Sequence, residues 1–548
     1  MNKSSNPIIQ LNEYRATKMK IKFAIFIVML ISFSTSLATA SEPEPAEISI
    51  GERLFQEIRF AQAWYARPGT ADHALAKTIT TYEPLNGKFA NGTMSCRACH
   101  MVEEHEQELS MRTYADFAST TPIPNRNDGK SKTERNSMSL VNISKADIDN
   151  ILFHFDGEFN TLDDLVVGTF TGRNFGWKTS ESNIAVKHIA NIVRNDNGDG
   201  ELAKEFGGSY AKVLKGTDTT LKKEFRLSKE YRIDVSVASD QEIVNAIAKL
   251  VTAYIKDLSF SKDENGLYNG SPYDAFLALN KLPRSANNGE SIIEYNKRLL
   301  NQVNQLKAPI FVSTNQGKFE THSQPFVFSN IELEGLKLFL NRGSQTQRGG
   351  NCVSCHQAPH FTDFGFHNSG ISQNQYDALH GSGAFNKIKI PDLAERNRVP
   401  GRYLPASSKH PNAQAIFRSV PQKNKPSHTD LGLWNIALNK DITRPQKKIK
   451  AILCSNEIEP CDTEMMLSKS LAAFKTPSLR DIGHSAPYMH TGELNTLQEV
   501  IAMYIKNSAL AKQGLLRNTD DEMLKINLEA NDIQPLLAFL RALNEDYD

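Results

Sequence analysis

The chain of 548 residues is 40% hydrophobic and 23% charged, a globular composition that excludes collagen-like, low-complexity and multi-span membrane proteins. Lys plus Arg number 63 and Asp plus Glu 62, so no basic excess points to nucleic acid. At roughly 150 residues per domain the length allows three or four domains or two large ones. Six cysteines are too few for a disulfide scaffold.

Lys18, Lys20 and Lys22 precede an apolar run from Phe23 to Leu37, and Ala38-Thr39-Ala40 offers a cleavage site before Ser41. The pattern predicts a secretory signal peptide over residues 1–40, with Met19 as an alternative start. The run is short for a membrane span; an uncleaved N-terminal anchor is the competing reading. Cleavage would remove five basic residues and one acid and leave a formal charge of −3. Export of the Gram-negative type places the chain in the periplasm, an oxidising compartment.

Ile50-Gly-Glu-Arg-Leu-Phe55 reads as a helix, and Cys96-Arg-Ala-Cys99-His100 follows it. Cys352-Val-Ser-Cys355-His356 has the same C-x-x-C-H spacing, preceded by the helix-like Leu333 to Phe339. Two thiols about one turn apart reach the two vinyl groups of one haem, and the adjoining histidine turns onto the iron. A thioredoxin-like pair does not need the histidine, and no further C-x-x-C completes a zinc site. Two covalent haems c are therefore expected, on Cys96, Cys99 and His100 and on Cys352, Cys355 and His356.

Further along, Asp156-Gly-Glu-Phe-Asn-Thr-Leu matches Thr491-Gly-Glu-Leu-Asn-Thr-Leu, and Ser139-Leu140 echoes Ser478-Leu479. An internal repeat of this length predicts two homologous domains. Ile243, Ala246, Ile247, Leu250, Val251 and Tyr254 recur at the spacing of a buried helix face, with Asp240 as its expected N-cap. Residues 283–330 read as a polar connection. Residues 371–470 are extra in the second copy, rich in Pro, Gly, Asn and His, and carry Cys454 and Cys461, a disulfide candidate pair. No long period-two segment appears, so the predicted fold is mainly all-α. The expected division is 41–282, a linker over 283–330, and 331–548 with the insertion. On the last long helix Leu497, Val500, Ile501, Tyr504 and Ile505 share one face, while Met503 turns about 100° away.

These motifs resemble the bacterial di-haem cytochrome c peroxidase family, which includes the maturation protein MauG. The resemblance is carried by Gly51-Glu-Arg-Leu-Phe55, both C-x-x-C-H motifs, Arg135-Asn136, Phe155-Asp-Gly157 and Ser271-Pro-Tyr-Asp274. Pro359-His-Phe-Thr-Asp363, Phe366-His-Asn368, Thr476-Pro-Ser-Leu-Arg480 and Ala486-Pro-Tyr-Met-His490 complete it. It implies two cytochrome c-like domains with unequal haems. The N-terminal one, held by His100, would meet hydrogen peroxide. The C-terminal one, held by His356, would relay electrons from a small cytochrome c or cupredoxin. Tyr504 falls where typical members place a methionine ligand and MauG-like members a tyrosine, and a phenolate lowers the reduction potential. Met489 reads as structural.

The distal site departs from the family pattern. Its glutamate has no counterpart in Gly168 to Trp177, where Arg173 is the one ionisable residue. Asp163, Asp164, Glu181 and His154 are the possible substitutes. The inter-haem tryptophan falls on Phe155, leaving Trp177 as an alternative relay. Calcium between the haems would use Asn136, Ser485 and Pro487, and Arg480 would pair with a haem propionate. Family members are often homodimers. Three readings follow: a peroxidase, a MauG-like oxidant of a partner protein, and a non-enzymatic electron carrier.

Overall fold

The computed structural model describes residues 44–66, 95–100, 126–143 and 151–546, without 129, 131–132, 320–322, 345 and 456–460. The expected signal peptide lies outside the described residues. Among these residues no helix is long and apolar enough to cross a membrane. The architecture is mainly helical. The helices that position the site are α1 (Ala46–Phe55), α2 (Leu162–Phe170), α3 (Asp240–Asp257), α4 (Ile292–Gln305), α5 (Asn330–Leu340), α6 (Leu497–Lys512) and α7 (Ile533–Arg541). Two short strands, β1 (Phe366–His367) and β2 (Phe474–Lys475), pair antiparallel with Phe366 opposite Lys475.

Two units repeat one construction. Helix α1 packs on α3, and α5 packs on α7. A Cβ on Gly51 would lie 2.3 Å from the Leu250 carbonyl oxygen, and one on Gly335 would lie 2.0 Å from that of Pro535. Glycine is required there because two backbones meet. Asn142 and Asp481 take matching left-handed angles, φ 55° and 53°. Their amides donate to equivalent carbonyls beyond the closing helices, Leu258 and Leu543. Bridges Phe153–Phe159 and Tyr488–Leu494 then form equivalent loops, which place His154 opposite Met489 in the repeat and Phe155 opposite His490. Thr161 and Thr496 cap α2 and α6 by accepting from the Asp164 and Glu499 amides.

The cores refine the expected boundaries. Leu54, Phe55, Phe170, Ile247 and Val251 belong to the first, and Leu336, Phe339 and Phe539 to the second. Tyr273, Phe276, Tyr295, Leu299 and Val303 also join the second core. Residues from about 272 onward therefore pack with the second unit. Within the expected linker, 283–330, lies the 14-residue helix α4, capped by Ser291 and Glu294. Its polar outer face masks the buried stripe. The cap of α3 is Ser239 rather than Asp240: its hydroxyl receives the Glu242 amide, and Glu242 reaches back to the Ser239 amide.

The insertion leaves after β1 and returns at β2. It is more ordered than its composition suggests, with helices Ile371–His380, Gln446–Cys454 and Thr463–Lys469 and cores around Trp434 and Ile449. Leu152 of the first unit joins one of these cores. Cys454 and Cys461 form a disulfide.

Gly335→Ala is expected to lower the unfolding free energy by about 1–3 kcal/mol, because the added methyl meets backbone that cannot yield. Gly401→Ala, whose Cβ meets nothing within 4 Å, serves as the control and should be neutral. Denaturant unfolding midpoints of the two variants test the pair.

Candidate functional sites in two cavities with a common wall

Both C-x-x-C-H segments fold alike. Cys96–Ala98 and Cys352–Ser354 form single tight turns, and the histidine amides close them by donating to Cys96 O at 2.9 Å and Cys352 O at 2.8 Å. Each turn presents both thiols and the histidine to a cavity. Burial and the adjoining thiol push Cys96 and Cys352 each up to about 12. A redox pair works through a lowered thiol pKa, so the environment is the wrong one for thioredoxin-like chemistry.

The C-terminal cavity holds about 280 Å³ and opens to solvent. That is more than a packed core leaves unfilled. Cys352, Cys355, His356 and Tyr504 line it among apolar side chains such as Phe339, Ile501 and Leu540. His356 Nδ1 lies 3.1 Å from the Phe361 carbonyl, which accepts its proton and fixes the tautomer. Burial lowers the His356 pKa and favours the neutral ring that binds a metal. Burial also raises the Tyr504 phenol, with Cys355 and Cys352 adding to the effect. Met503 is buried away from the cavity, its sulfur receiving Asn507 Nδ2 at 3.2 Å. The helix-face argument thus places Tyr504 as drawn from the sequence. Met489 lines the same cavity.

The N-terminal cavity holds about 210 Å³, lined by Cys96, Cys99, His100, His154, Phe155 and Arg418, with Glu134, Arg135 and Asn174 and with apolar residues of α1, α2 and α3. Arg173 is not on its wall. The guanidinium turns outward to Asp128, with Nε to Oδ2 at 2.7 Å, because that carboxylate is the nearest countercharge. Trp177 is also absent from both walls: it is 1% exposed, donates Nε1–H to Phe60 O and packs on Tyr65 and His188. It is a core residue. Asp164 pairs with Arg444 and Glu181 with Arg126, and neither these nor Asp163 reaches the cavity.

Phe155, Asn136, Ser137, Met138 and Ile143 line both cavities and form a common wall. The Phe155 ring meets His490 edge-on at 6.4 Å, and His490 stacks on Phe474 at 3.5 Å. Burial takes the His490 pKa down to about 3, so this ring is a neutral wall element. Asn136 Nδ2 donates to Pro487 O at 2.7 Å, and its Oδ1 receives the Ser137 amide. The expected calcium ligands Asn136, Ser485 and Pro487 do come to one cavity, and a protein hydrogen bond links two of them.

Arg480 corrects another expectation. It is 3% exposed and points away from both cavities, bound by Asp274 at 3.0 Å, Glu545 at 2.7 Å and the Pro359 carbonyl. Two carboxylates and one backbone carbonyl, all distant in sequence, hold its guanidinium away from both cavity walls. Two residues unforeseen from the sequence do line the cavities: Lys475, whose ammonium burial lowers to about 7, in the C-terminal one, and Arg418 in the other. Neither sits in a local motif that would have marked it.

A buried charge network crosses behind the wall. Arg135 binds Asp156 at 2.7 Å and Asp430 through two bonds of 2.7 and 2.9 Å. Arg418 binds the same Asp156 at 3.1 Å and Glu158 at 2.6 Å. Burial alone would raise Glu158 and Asp430, but Arg418 and His154 beside the first and Arg135 beside the second hold both below the usual carboxylate range.

Thiol pairs, a poised histidine and an apolar cleft, twice over, suit covalent haem on an observation of the residues themselves. The class so defined is a helical repeat protein with two C-x-x-C-H cavities divided by one wall. Its homologues carry the names cytochrome-c peroxidase and MauG. No protein-family model matches the chain. Cytochrome-c peroxidase IdrP2 of Denitromonas iodatirespirans is 26% identical over 218 residues, 39% of each chain. IdrP1 of the same organism is 37% identical over 76 residues, 14% of this chain and 19% of that one. Methylamine utilization protein MauG of Methylophilus methylotrophus is 42% identical over 72 residues, 13% and 20% of the two chains. The chain thus spans about two fifths or less of these relatives. Solved structures that align over 94% of this chain include a MauG-like protein associated with microbial copper homeostasis and the diheme peroxidase BthA of Burkholderia thailandensis. Each is 15% identical with a TM-score of 0.43, over 96% and 89% of those chains.

Arg135→Met should destabilise the protein by about 3–5 kcal/mol, since it strands Asp430 without a cation and leaves Asp156 with Arg418 alone. Because Glu158 and Asp430 are held low in the folded state, their stabilisation is complete above the unfolded carboxylate range and is lost as pH falls. Unfolding free energies measured from pH 7 to pH 3 should therefore decline in the parent and decline less in Arg135→Met.

Proposed function

We propose that the chain is an exported di-haem c-type peroxidase that reduces hydrogen peroxide to water with electrons from a small cytochrome c or cupredoxin. The observation that carries this reading is the pair of C-x-x-C-H cavities meeting at Phe155. Haem iron, once bound, supplies the electron transfer and the peroxide-binding position.

In this reading Cys96 and Cys99 would anchor the N-terminal haem and His100 would hold its iron. Cys352, Cys355 and His356 would do the same in the second cavity, with Tyr504 as a further residue that would hold the iron. The Phe155–His490–Phe474 wall keeps water out between the two and fixes their separation. Phe155 does not form an oxidised radical as readily as tryptophan, so electrons cross the wall without a stored hole there. The N-terminal cavity is assigned as the peroxide site because its lining is the more polar of the two, with His154 and Arg418 beside Glu134, Arg135 and Asn174. The relatives named cytochrome-c peroxidase support this assignment, and the periplasm follows from the signal-like N-terminus. One observation favours a MauG-like oxidant of a partner protein instead, namely Tyr504 on the cavity wall.

The holoprotein should carry two haems by mass spectrometry, and Cys352→Ser combined with Cys355→Ser should carry one. Steady-state peroxide consumption with a reduced cytochrome donor separates the peroxidase from a carrier, which would be inert. Tyr504→Met should raise the reduction potential of the C-terminal haem, read by spectroelectrochemical titration.

A further inference from the structure

The insertion supplies Arg418 from a rigid base. Phe417, 1% exposed, stacks on Tyr403 and meets Trp434 edge-on, and its carbonyl receives the Leu431 amide. From there the Arg418 side chain reaches into the first unit. Its NH2 group donates to Glu158 Oε2 at 2.6 Å, and the same oxygen faces His154 Nδ1 at 3.3 Å. His154 is held in the left-handed region, φ 67°, between the bridged residues Phe153 and Phe159, with Phe159 edge-on at 4.7 Å. Its side chain is 31% exposed, lines the N-terminal cavity and makes no hydrogen bond from Nε2 among the described residues.

His154, Asp156 and Glu158 offer donor atoms within 4.8 Å of one another, a spacing a metal ion would accept. Arg135 and Arg418 already neutralise both carboxylates, so a cation has no vacant negative charge to bind. The geometry fits acid–base work better. An ionised Glu158 accepts the Nδ1 proton, which fixes the tautomer and leaves the Nε2 lone pair toward the cavity.

We propose that His154 is the proton-transfer group for peroxide cleavage and takes the place of the absent distal acid. Glu158 and the insertion's Arg418 act as its positioning residues. The inference rests on the peroxidase reading above. His154 Nε2 takes the proton of the near peroxide oxygen and returns it to the far oxygen, which leaves as water when the O–O bond breaks. The near oxygen leaves as the second water after uptake of two electrons from the donor protein and two protons from solvent. The fixed Arg418 guanidinium lies on the same cavity wall and holds Glu158, so that His154 keeps one orientation.

The test uses the full holoprotein and the variants His154→Gln, Glu158→Gln and Arg418→Lys, each first checked for two haems. His154→Gln should slow the reaction with peroxide by about 10²–10⁴-fold. Cyanide binding to the oxidised N-terminal haem is the second readout, because hydrogen cyanide must give up its proton to bind. Its rate should fall at least about tenfold in His154→Gln and by a smaller factor in the other two variants. Nitric oxide carries no proton and should bind all four proteins at one rate. Parent-like rates with peroxide and cyanide in His154→Gln overturn the proposal. If that variant loses haem, parent-like cyanide binding in Glu158→Gln overturns it. Equal slowing of cyanide and nitric oxide would assign the residues to access rather than proton transfer and would also overturn it. A parent protein inert to both peroxide and cyanide would instead refute the peroxidase reading itself.

Discussion

Asp156 carries a carboxylate with no exposed surface, and a charge so placed persists only when cations are brought to it. Arg135 arrives from the segment before the first repeat loop and Arg418 from a different part of the chain altogether. Their convergence fixes three things together: the loop that carries His154 and Phe155, the base of the insertion, and the back of the common wall. The desolvation penalty of two buried carboxylates, with three half-buried partners, makes the arrangement close to all-or-none. A loosened Arg418 would leave Asp156 and Glu158 short of partners, so the wall and the polar edge of the N-terminal cavity are held to one geometry.

The two units show how one local design takes on two roles. Equivalent loops, closed by equivalent bridges, put phenylalanine at one position and histidine at its counterpart. Those two rings meet across the wall, so the contact between cavities is built from matching points of the repeat. After the loops, threonine-capped helices diverge in what they present: α2 offers Val166 and Thr169 to its cavity, whereas α6 offers Tyr504. The asymmetry expected of a reactive and a relaying site therefore lies in side chains on a shared backbone plan.

Local signals were legible in the sequence. The C-x-x-C-H turns need only five residues to specify their shape, and the face of α6 follows from helical period, so Tyr504 and Met503 could be assigned without tertiary information. The repeat itself exposed the two units. Long-range choices were not legible. Arg173, Arg480 and Trp177 sit in motif-like surroundings, but Asp128, the Asp274–Glu545 pair and the Phe60 carbonyl decide where they point. Arg418 was hidden for the converse reason: it lies in a stretch whose composition reads as loop, and its partners are about 260 positions away. Helix α4 escaped notice because most of its residues face solvent and only Tyr295, Asn296, Leu299 and Val303 are buried.

The insertion departs and rejoins through adjacent strands, β1 and β2, whose backbones lie about 5 Å apart. Its two ends are therefore neighbours, so the host strands could be joined by a short hairpin in its stead, at the cost of the bonds that Gln373 and Asn374 make to Leu515 and Asn507. What looks like an interruption is topologically a graft. Because it carries the cation that its distant neighbour requires, exchanging the module would alter in the same step the chemistry of a site that belongs to the other half of the molecule.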